Sequence, residues 1–314
     1  GQYISLLKAI TTNDTNLYVQ DLNNGERTEI TPHTGNVSSS PSAFSPDNLY
    51  FYYTTDEGSE YQHLMRHDLA NGDKETVVEM DWDIYYGVFS REGNYLVVAA
   101  NVEARTQLLM YDANTLEPLD APGIDNVNVT SVQFSHGDTE VALYGSGSRF
   151  PSDLFVKSIS SNEQARRLTQ SLNANIDSEH LVDADVVRFS SYDGVEVPGV
   201  LYVPHSASAD NKAAAMVWVH GGPGGQTRAS YSPLIQYLVN HGYVVYGINN
   251  RGSSGYGKTF YAMDDQRHGE ADLGDVVASK QMLIDTGVVD PERIGIIGGS
   301  YGGYMVVAAL AFEP

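Results

Sequence analysis

The sequence predicts a partial β-propeller followed by an α/β fold whose sheet is doubly wound and mostly parallel. Three observations predict it: a 45-residue repeat in the first half, an alternation of strand and helix patterns in the second, and a glycine-flanked serine where one such strand meets one such helix.

The repeat shows in two registers. "FSPDNLYFYY" begins at Phe44, "FSREGNYLVV" at Phe89 and "FSHGDTEVAL" at Phe134, a spacing of 45 each time. "LYVQDLNNGE" at Leu17, "LMRHDLANGD" at Leu64, "LLMYDANTLE" at Leu108 and "LFVKSISSNE" at Leu154 follow the same rhythm. Each unit reads as four short strands joined by polar turns. Asn24-Gly25 and Asn71-Gly72 read as tight hairpins whose two central residues both take positive φ. Four strands every 40–45 residues is the pattern of a propeller blade, which must stack on neighbours to bury both faces. Residues 1–176 hold roughly three and a half such units. "GQYISLLKAI" aligns with the second strand of a unit, so the chain is expected to begin inside a blade.

After about Asn175 the pattern changes, and residues 177–314 read as a second domain. "VVRFSSYDGVEVPGVLYVP" (186–204) is two strands around Asp193-Gly194. Buried strands at 213–222, 243–250 and 293–299 then alternate with helices at 232–242, 272–287 and 302–312. Strand–helix alternation implies a parallel sheet covered on both faces.

Gly298-Gly299-Ser300-Tyr301-Gly302 fits G-x-S-x-G, with a strand running in and a helix running out. A tight, strained turn there projects the Ser300 hydroxyl from the sheet, and the glycines avoid Cβ clashes where strand and helix approach. The turn is that of an α/β-hydrolase nucleophile. A phosphate-binding loop would need G-x-x-x-x-G-K-[ST], which is absent. Acyl transfer also needs two donors for the developing oxyanion. The backbone N–H of Tyr301 supplies one, and "HGGPGG" (220–225), directly after an earlier strand, supplies the other through Gly222, with Gly221 as the next choice. His220 is read as ordering that loop. The glycine-rich stretch "NNRGSSGYGKTF" (249–260) places Arg251 and Tyr256 at the carboxyl end of the sheet, where they either line a substrate pocket or pack between loops. Tyr301 and Tyr304 carry the same two readings.

His220-Gly-Gly-Pro223, Asn250-Arg251-Gly252-Ser253 with Gly255-Tyr256-Gly257, and Asp290-Pro291-Glu292-Arg293 leading into Gly299-Ser300-Tyr301-Gly302-Gly303-Tyr304-Met305 resemble the prolyl oligopeptidase family of serine peptidases. The acylaminoacyl-peptidase and dipeptidyl-peptidase-like branch is the nearest in pattern. The resemblance is strong over 186–314 and less specific over 1–176. It implies a β-propeller acting as a size filter over an α/β-hydrolase with a Ser-Asp-His triad, cleaving short peptides or blocked aminoacyl ends. An esterase sharing the elbow and the HGG loop is the alternative within enzymes. A non-catalytic propeller binding module is the alternative outside them.

In α/β-hydrolases the triad runs Ser, then Asp or Glu, then His along the chain. All nine histidines, His33 to His268, precede Ser300, and Glu313 is the only acid after it. The general base and its carboxylate are therefore expected outside these 314 residues. The segment, expected to be truncated at both ends, is predicted inactive alone. Dipeptidyl release requires acids that hold the peptide's amino group; no adjacent pair in the propeller half stands out, and Asp56-Glu57, the nearest, reads equally well as a solvated turn.

Composition bounds the remaining classes. The chain is 41% hydrophobic and 18% charged, as a globular protein is. Its net charge of −22 is spread along the chain, with 24 acids against 10 bases in residues 1–176 and 16 against 8 in 177–314. This disfavours a nucleic-acid partner. No apolar run reaches the about 20 residues needed to span a bilayer. No metal motif such as H-E-x-x-H occurs, and no cofactor is implied. Peptides are the expected partners, and a homo-oligomer is compatible with the sequence. The absence of cysteine leaves the redox compartment open, and the start carries no signal-peptide pattern; the expected compartment is cytoplasmic, with periplasmic or secreted as the alternative.

Overall fold

A computed structural model of the protein describes residues 1–161 and 163–313. The first half forms four antiparallel sheets. They are β1 (Tyr3–Thr11), β2 (Asp14–Asp21) and β3 (Arg27–Glu29); β4 (Ser39–Phe44), β5 (Tyr50–Thr55), β6 (His63–Asp68) and β7 (Lys74–Val78); β8 (Ile84–Phe89), β9 (Tyr95–Val102), β10 (Arg105–Asp112) and β11 (Pro118–Leu119); and β12 (Asn128–Phe134), β13 (Glu140–Ser146), β14 (Asp153–Ser158) and β15 (Arg166–Arg167). Within each sheet, strands adjacent in sequence are paired. β1 pairs with β2 as β5 does with β6.

The repeated Phe-Ser has a physical role. Each serine closes the turn between the first two strands of its four-stranded sheet. Its N–H donates to the first residue of the next strand (Ser45 to Tyr50, Ser90 to Tyr95, Ser135 to Glu140), and its hydroxyl accepts that residue's N–H at 2.9–3.0 Å. The second repeated turn differs from expectation. Gly25 and Gly72 have φ of 76° and 84°, but neither Asn24 nor Asn71 is left-handed. The loop is longer than two residues, closing Asp21 N–H on Glu26 O and Asp68 N–H on Asp73 O, and so needs only one left-handed position. In the third unit Leu116 fills that position with φ of 59°. The equivalent turn of the fourth unit contains Asn162, outside the described residues.

The sheets stack through both faces. Leu96, Val98 and Ala100 of β9 pack with Tyr52 and Leu64 of the second sheet, whereas Val97 and Ala99 pack with Val129, Val141 and Leu143 of the fourth. Phe51 and Tyr53 of β5 face Leu17 and Val19 of the first sheet, and Tyr52 faces the third. The side-chain period of two delivers alternate residues to opposite neighbours. A strand buried on both faces therefore reads as a continuous apolar run.

The second half forms one five-stranded sheet from β16 (Asp185–Ser190), β17 (Glu196–Tyr202), β18 (Ala213–Val219), β19 (Tyr243–Ile248) and β20 (Val289–Gly298), in the order β16-β17-β19-β18-β20. α1 (Pro233–Asn240) packs on one face through Ile235 and Val239. After the short α2 (Lys258–Tyr261), α3 (Ala271–Asp285) and α4 (Tyr301–Phe312) cover the other face through Leu273, Val276, Leu283, Met305 and Ala308. The expectation of a mostly parallel sheet is corrected: β18 pairs in parallel with β19 and β20, but β16–β17 and β17–β19 are antiparallel. The Asp193-Gly194 turn reverses β16 into β17 and fixes the first of these antiparallel pairs. No helix among the described residues is long and apolar enough to cross a membrane.

A strap of residues after β18 docks on the sheets of the first half. Arg228 donates from Nη1 to Tyr85 Oη (2.8 Å) and Asn101 Oδ1 (3.0 Å), and from Nη2 to Thr106 Oγ1 (2.8 Å). Asn128 donates to Ala229 O, and Ala229 N–H to Ala104 O.

Candidate active site

Ser300 sits at the junction of β20 and α4, exposed, with φ of 55° and ψ of −121°. An L-residue pays about 1–3 kcal/mol for such a backbone. The crossing that imposes it is sterically tight. A Cβ on Gly302 would fall inside contact distance of the Val219 carbonyl oxygen, and one on Gly298 would lie 2.6 Å from the Gly302 backbone. Gly299 differs, because a Cβ there meets nothing within 4 Å. The expectation that the flanking glycines all relieve clashes therefore holds for Gly298 and Gly302 and is corrected for Gly299.

The loop after β18 faces the serine. A Cβ built on Gly221 would lie 3.3 Å from Ser300 Cβ and 3.8 Å from its Oγ. Gly222, the favoured donor, has φ of 137° and a cis bond to Pro223. His220 is engaged on both sides: Nδ1 lies 2.8 Å from Gly221 O and Nε2 2.8 Å from Ser253 Oγ. Burial lowers the pKa of His220 and keeps the ring neutral. His220 thus ties two loops together, and among the described residues no histidine hydrogen-bonds Ser300.

The proposed pocket residues separate. Arg251 is 5% exposed, and its donors are committed to two carboxylates: Nε and Nη2 to Asp275 (2.9 and 2.7 Å), Nη1 and Nη2 to Asp193 (2.8 and 2.9 Å). The Tyr256 hydroxyl accepts from Asn249 Nδ2 at 2.8 Å, and its ring packs against Trp82 and Phe260. Both residues brace loops, the packing alternative of the sequence reading. Tyr304 is 47% exposed and lies 5.5 Å from the Tyr301 ring.

Sequence reasoning missed two features. One is a cavity of about 680 Å³ between the two halves, lined by Asp56, Glu60, Asp83, Gly224, Lys258 and Tyr261 among others. Gly224 belongs to the loop that faces Ser300. Burial raises the pKa of Asp56 and of Asp83. Asp56 is half of the acidic pair noted in the sequence, but its companions here are Glu60, in the same β5–β6 connection, and Asp83, between β7 and β8, so no adjacent pair announces the cluster. The other is Asp272, taken up below. In sequence it reads as an ordinary acid in a helix's first turn. Among the described residues no cluster of three His, Asp or Glu side chains could hold a metal ion.

Stacked antiparallel blades leading into a two-sided α/β sheet, with a strained serine at a strand-to-helix turn, define a propeller-bearing fold of the α/β-hydrolase type. Residues 229–314 match the family model described as the prolyl oligopeptidase family. The chain is 27% identical over 310 residues to dipeptidyl aminopeptidase BIII of Pseudoxanthomonas mexicana, covering 92% of this chain and 43% of that protein. It is 34% identical over 116 residues to the acylamino-acid-releasing enzyme of Arabidopsis thaliana, covering 36% of this chain and 15% of that one. Among solved structures, a puromycin-hydrolyzing peptidase of Mycobacterium tuberculosis superposes with a TM-score of 0.86 at 20% identity, covering 99% of this chain and 49% of the other. The chain spans about half or less of the length of the proteins it matches.

Proposed function

We propose that the protein carrying this chain is a serine peptidase that releases short or N-terminal aminoacyl units through an acyl-enzyme on Ser300. The observation that carries the reading is the exposed Ser300 at φ 55°, facing Gly221 of the glycine loop across the end of the sheet. In the mechanism, Ser300 Oγ attacks the scissile carbonyl carbon and the carbonyl oxygen takes the negative charge. The backbone N–H groups of Tyr301 and Gly222 receive that oxyanion, and the N-terminus of α4 adds a favourable dipole. The general base and its orienting carboxylate come from outside residues 1–314, a reading supported by the engagement of His220 with Gly221 and Ser253. Residues 1–176 act as the partial propeller that restricts entry, and 177–314 as the first part of the catalytic domain. Arg251 and Tyr256 support the site from behind, and Tyr304 lies at its rim.

The acidic cavity favours substrates with a free amino group over blocked ones, because Asp56, Glu60 and Asp83 surround space beside the glycine loop. The test is fluorophosphonate labelling of the full-length protein, with Ser300→Ala as control, followed by turnover of dipeptidyl amides, acylaminoacyl amides and simple esters. Labelling lost in Ser300→Ala together with faster amide turnover is expected. An unlabelled serine would favour a binding module, and a preference for esters would favour an esterase.

A further inference from the structure

We propose that Asp272 is a positioning residue for the Ser300 site: it clamps the Tyr301 side chain and so holds the first turn of α4, which carries the Tyr301 main-chain N–H. The proposal rests on the reading of Ser300 as nucleophile.

Asp272 is 0% exposed. Its Oδ1 accepts from the main-chain N–H groups of Gly269 (2.8 Å) and Leu273 (2.9 Å), and its Oδ2 accepts from the Tyr301 hydroxyl. Among the described residues no Lys, Arg or His forms an ion pair with it. The charge is tolerated because Asp272 lies in the first turn of α3, where the helix dipole favours a carboxylate and main-chain donors solvate it. A buried carboxylate with that solvation makes a strong, directional acceptor for one phenol. The Tyr301 ring is held on two further sides, by His268 at 5.4 Å and Tyr304 at 5.5 Å, and the Tyr304 hydroxyl donates to His268 O. The segment 268–272 therefore cradles both tyrosines of α4's first turn.

This cradle adjoins the residue in the chain that most needs holding. Ser300 occupies a sparsely populated backbone region, and relaxation there would rotate the next peptide plane, which carries the Tyr301 N–H. Oxyanion donors work only if placed before the charge develops. The Tyr301 side chain is the lever arm of that peptide plane, and Asp272 is its stop.

The test uses the full-length protein with Tyr301→Phe, Asp272→Ala and Asp272→Asn. In Asp272→Asn the amide oxygen keeps both main-chain donors while the NH2 donates to the Tyr301 oxygen, so the clamp survives with its hydrogen bond reversed. Tyr301→Phe and Asp272→Ala are expected to lower kcat about tenfold to a hundredfold with KM nearly unchanged, the effect of a misplaced catalytic group. Asp272→Asn should recover most of that loss, and the Tyr301→Phe/Asp272→Ala double variant should be no worse than either single one. Hydrogen exchange of a peptide spanning 296–304 should speed up in the two clamp-breaking variants and not in Asp272→Asn. Unchanged exchange in Tyr301→Phe, which leaves the buried carboxylate and its main-chain bonds in place, overturns the clamp whether or not the protein is a peptidase. Faster exchange with unchanged kcat overturns the positioning role. Faster exchange in a protein whose Ser300 is unreactive supports the clamp and sinks the peptidase reading instead.

Discussion

Arg251 and Asp275 are joined by three hydrogen bonds in the interior. The carboxylate of Asp275 accepts the Arg251 backbone N–H, its Nε and its Nη2, all within 2.9 Å, and also takes the Ser191 hydroxyl. The pair welds the loop after β19 to α3, and Asp193 extends it to the β16–β17 turn. Asp275→Ala leaves the guanidinium buried with half its partners and should cost about 3–5 kcal/mol in urea melts. Asp193 contributes differently with pH. Arg251 holds its carboxyl down at about 2. A depressed folded-state value means its stabilisation is complete above the unfolded value of about 3.9 and is lost as pH falls toward 2. Wild type and Asp193→Asn should therefore converge in stability on acidification.

The elbow's glycines should divide sharply. Gly302→Ala drives a methyl into the Val219 carbonyl, which is backbone and cannot yield, so fluorophosphonate labelling should vanish and the thermal midpoint should fall. Gly299→Ala meets open space and should fold and label nearly as wild type. Equal damage from both would show that the strand–helix crossing differs from the one described.

Asp264 is 3% exposed, and its carboxyl pKa is raised to about 6, chiefly by burial. Its Oδ2 has no hydrogen-bond partner among the described residues; His268 Nε2 stands 3.7 Å away. Because the folded-state value lies above the unfolded one, the unfolded chain ionises first as pH rises. The penalty is absent below about 3.9 and complete above about 6. Asp264→Asn should thus raise stability at pH 7 by about 1–2 kcal/mol, allowing for partial solvent screening, and change little near pH 4. A gain of the same size at both pH values would refute this assignment.

Asp83 tests the cavity. If its carboxylate meets a substrate ammonium, Asp83→Asn should raise KM for free-amino substrates about tenfold to a hundredfold and leave blocked substrates unaffected. Burial raises the Asp83 pKa, so wild-type affinity for the amine should weaken as pH falls through that value while the blocked substrates stay level. Parallel changes for both substrate types would remove the amine from the reading.

What the sequence revealed followed from local patterns. The 45-residue repeat, the strand–helix alternation and G-x-S-x-G each express a backbone requirement within a few residues, and the elements fall within a few residues of their expected bounds. What it hid was non-local. The antiparallel β17–β19 pair joins segments separated by α1 and β18. The burial of Arg251 depends on Asp193 and Asp275, 58 and 24 residues away. Tyr301 reads as part of a motif, yet what fixes its side chain is Asp272, 29 residues earlier.

β9, which divides its side chains between two neighbours, has a consequence for how damage spreads. Trimming Val98 loosens the boundary with the sheet before it, and trimming Val97 loosens the boundary with the sheet after it. The array then behaves as a chain of nearest-neighbour couplings, in which each interface has its own strength and the weakest sets where unravelling starts. Paired cavity variants along this one strand would map those couplings link by link.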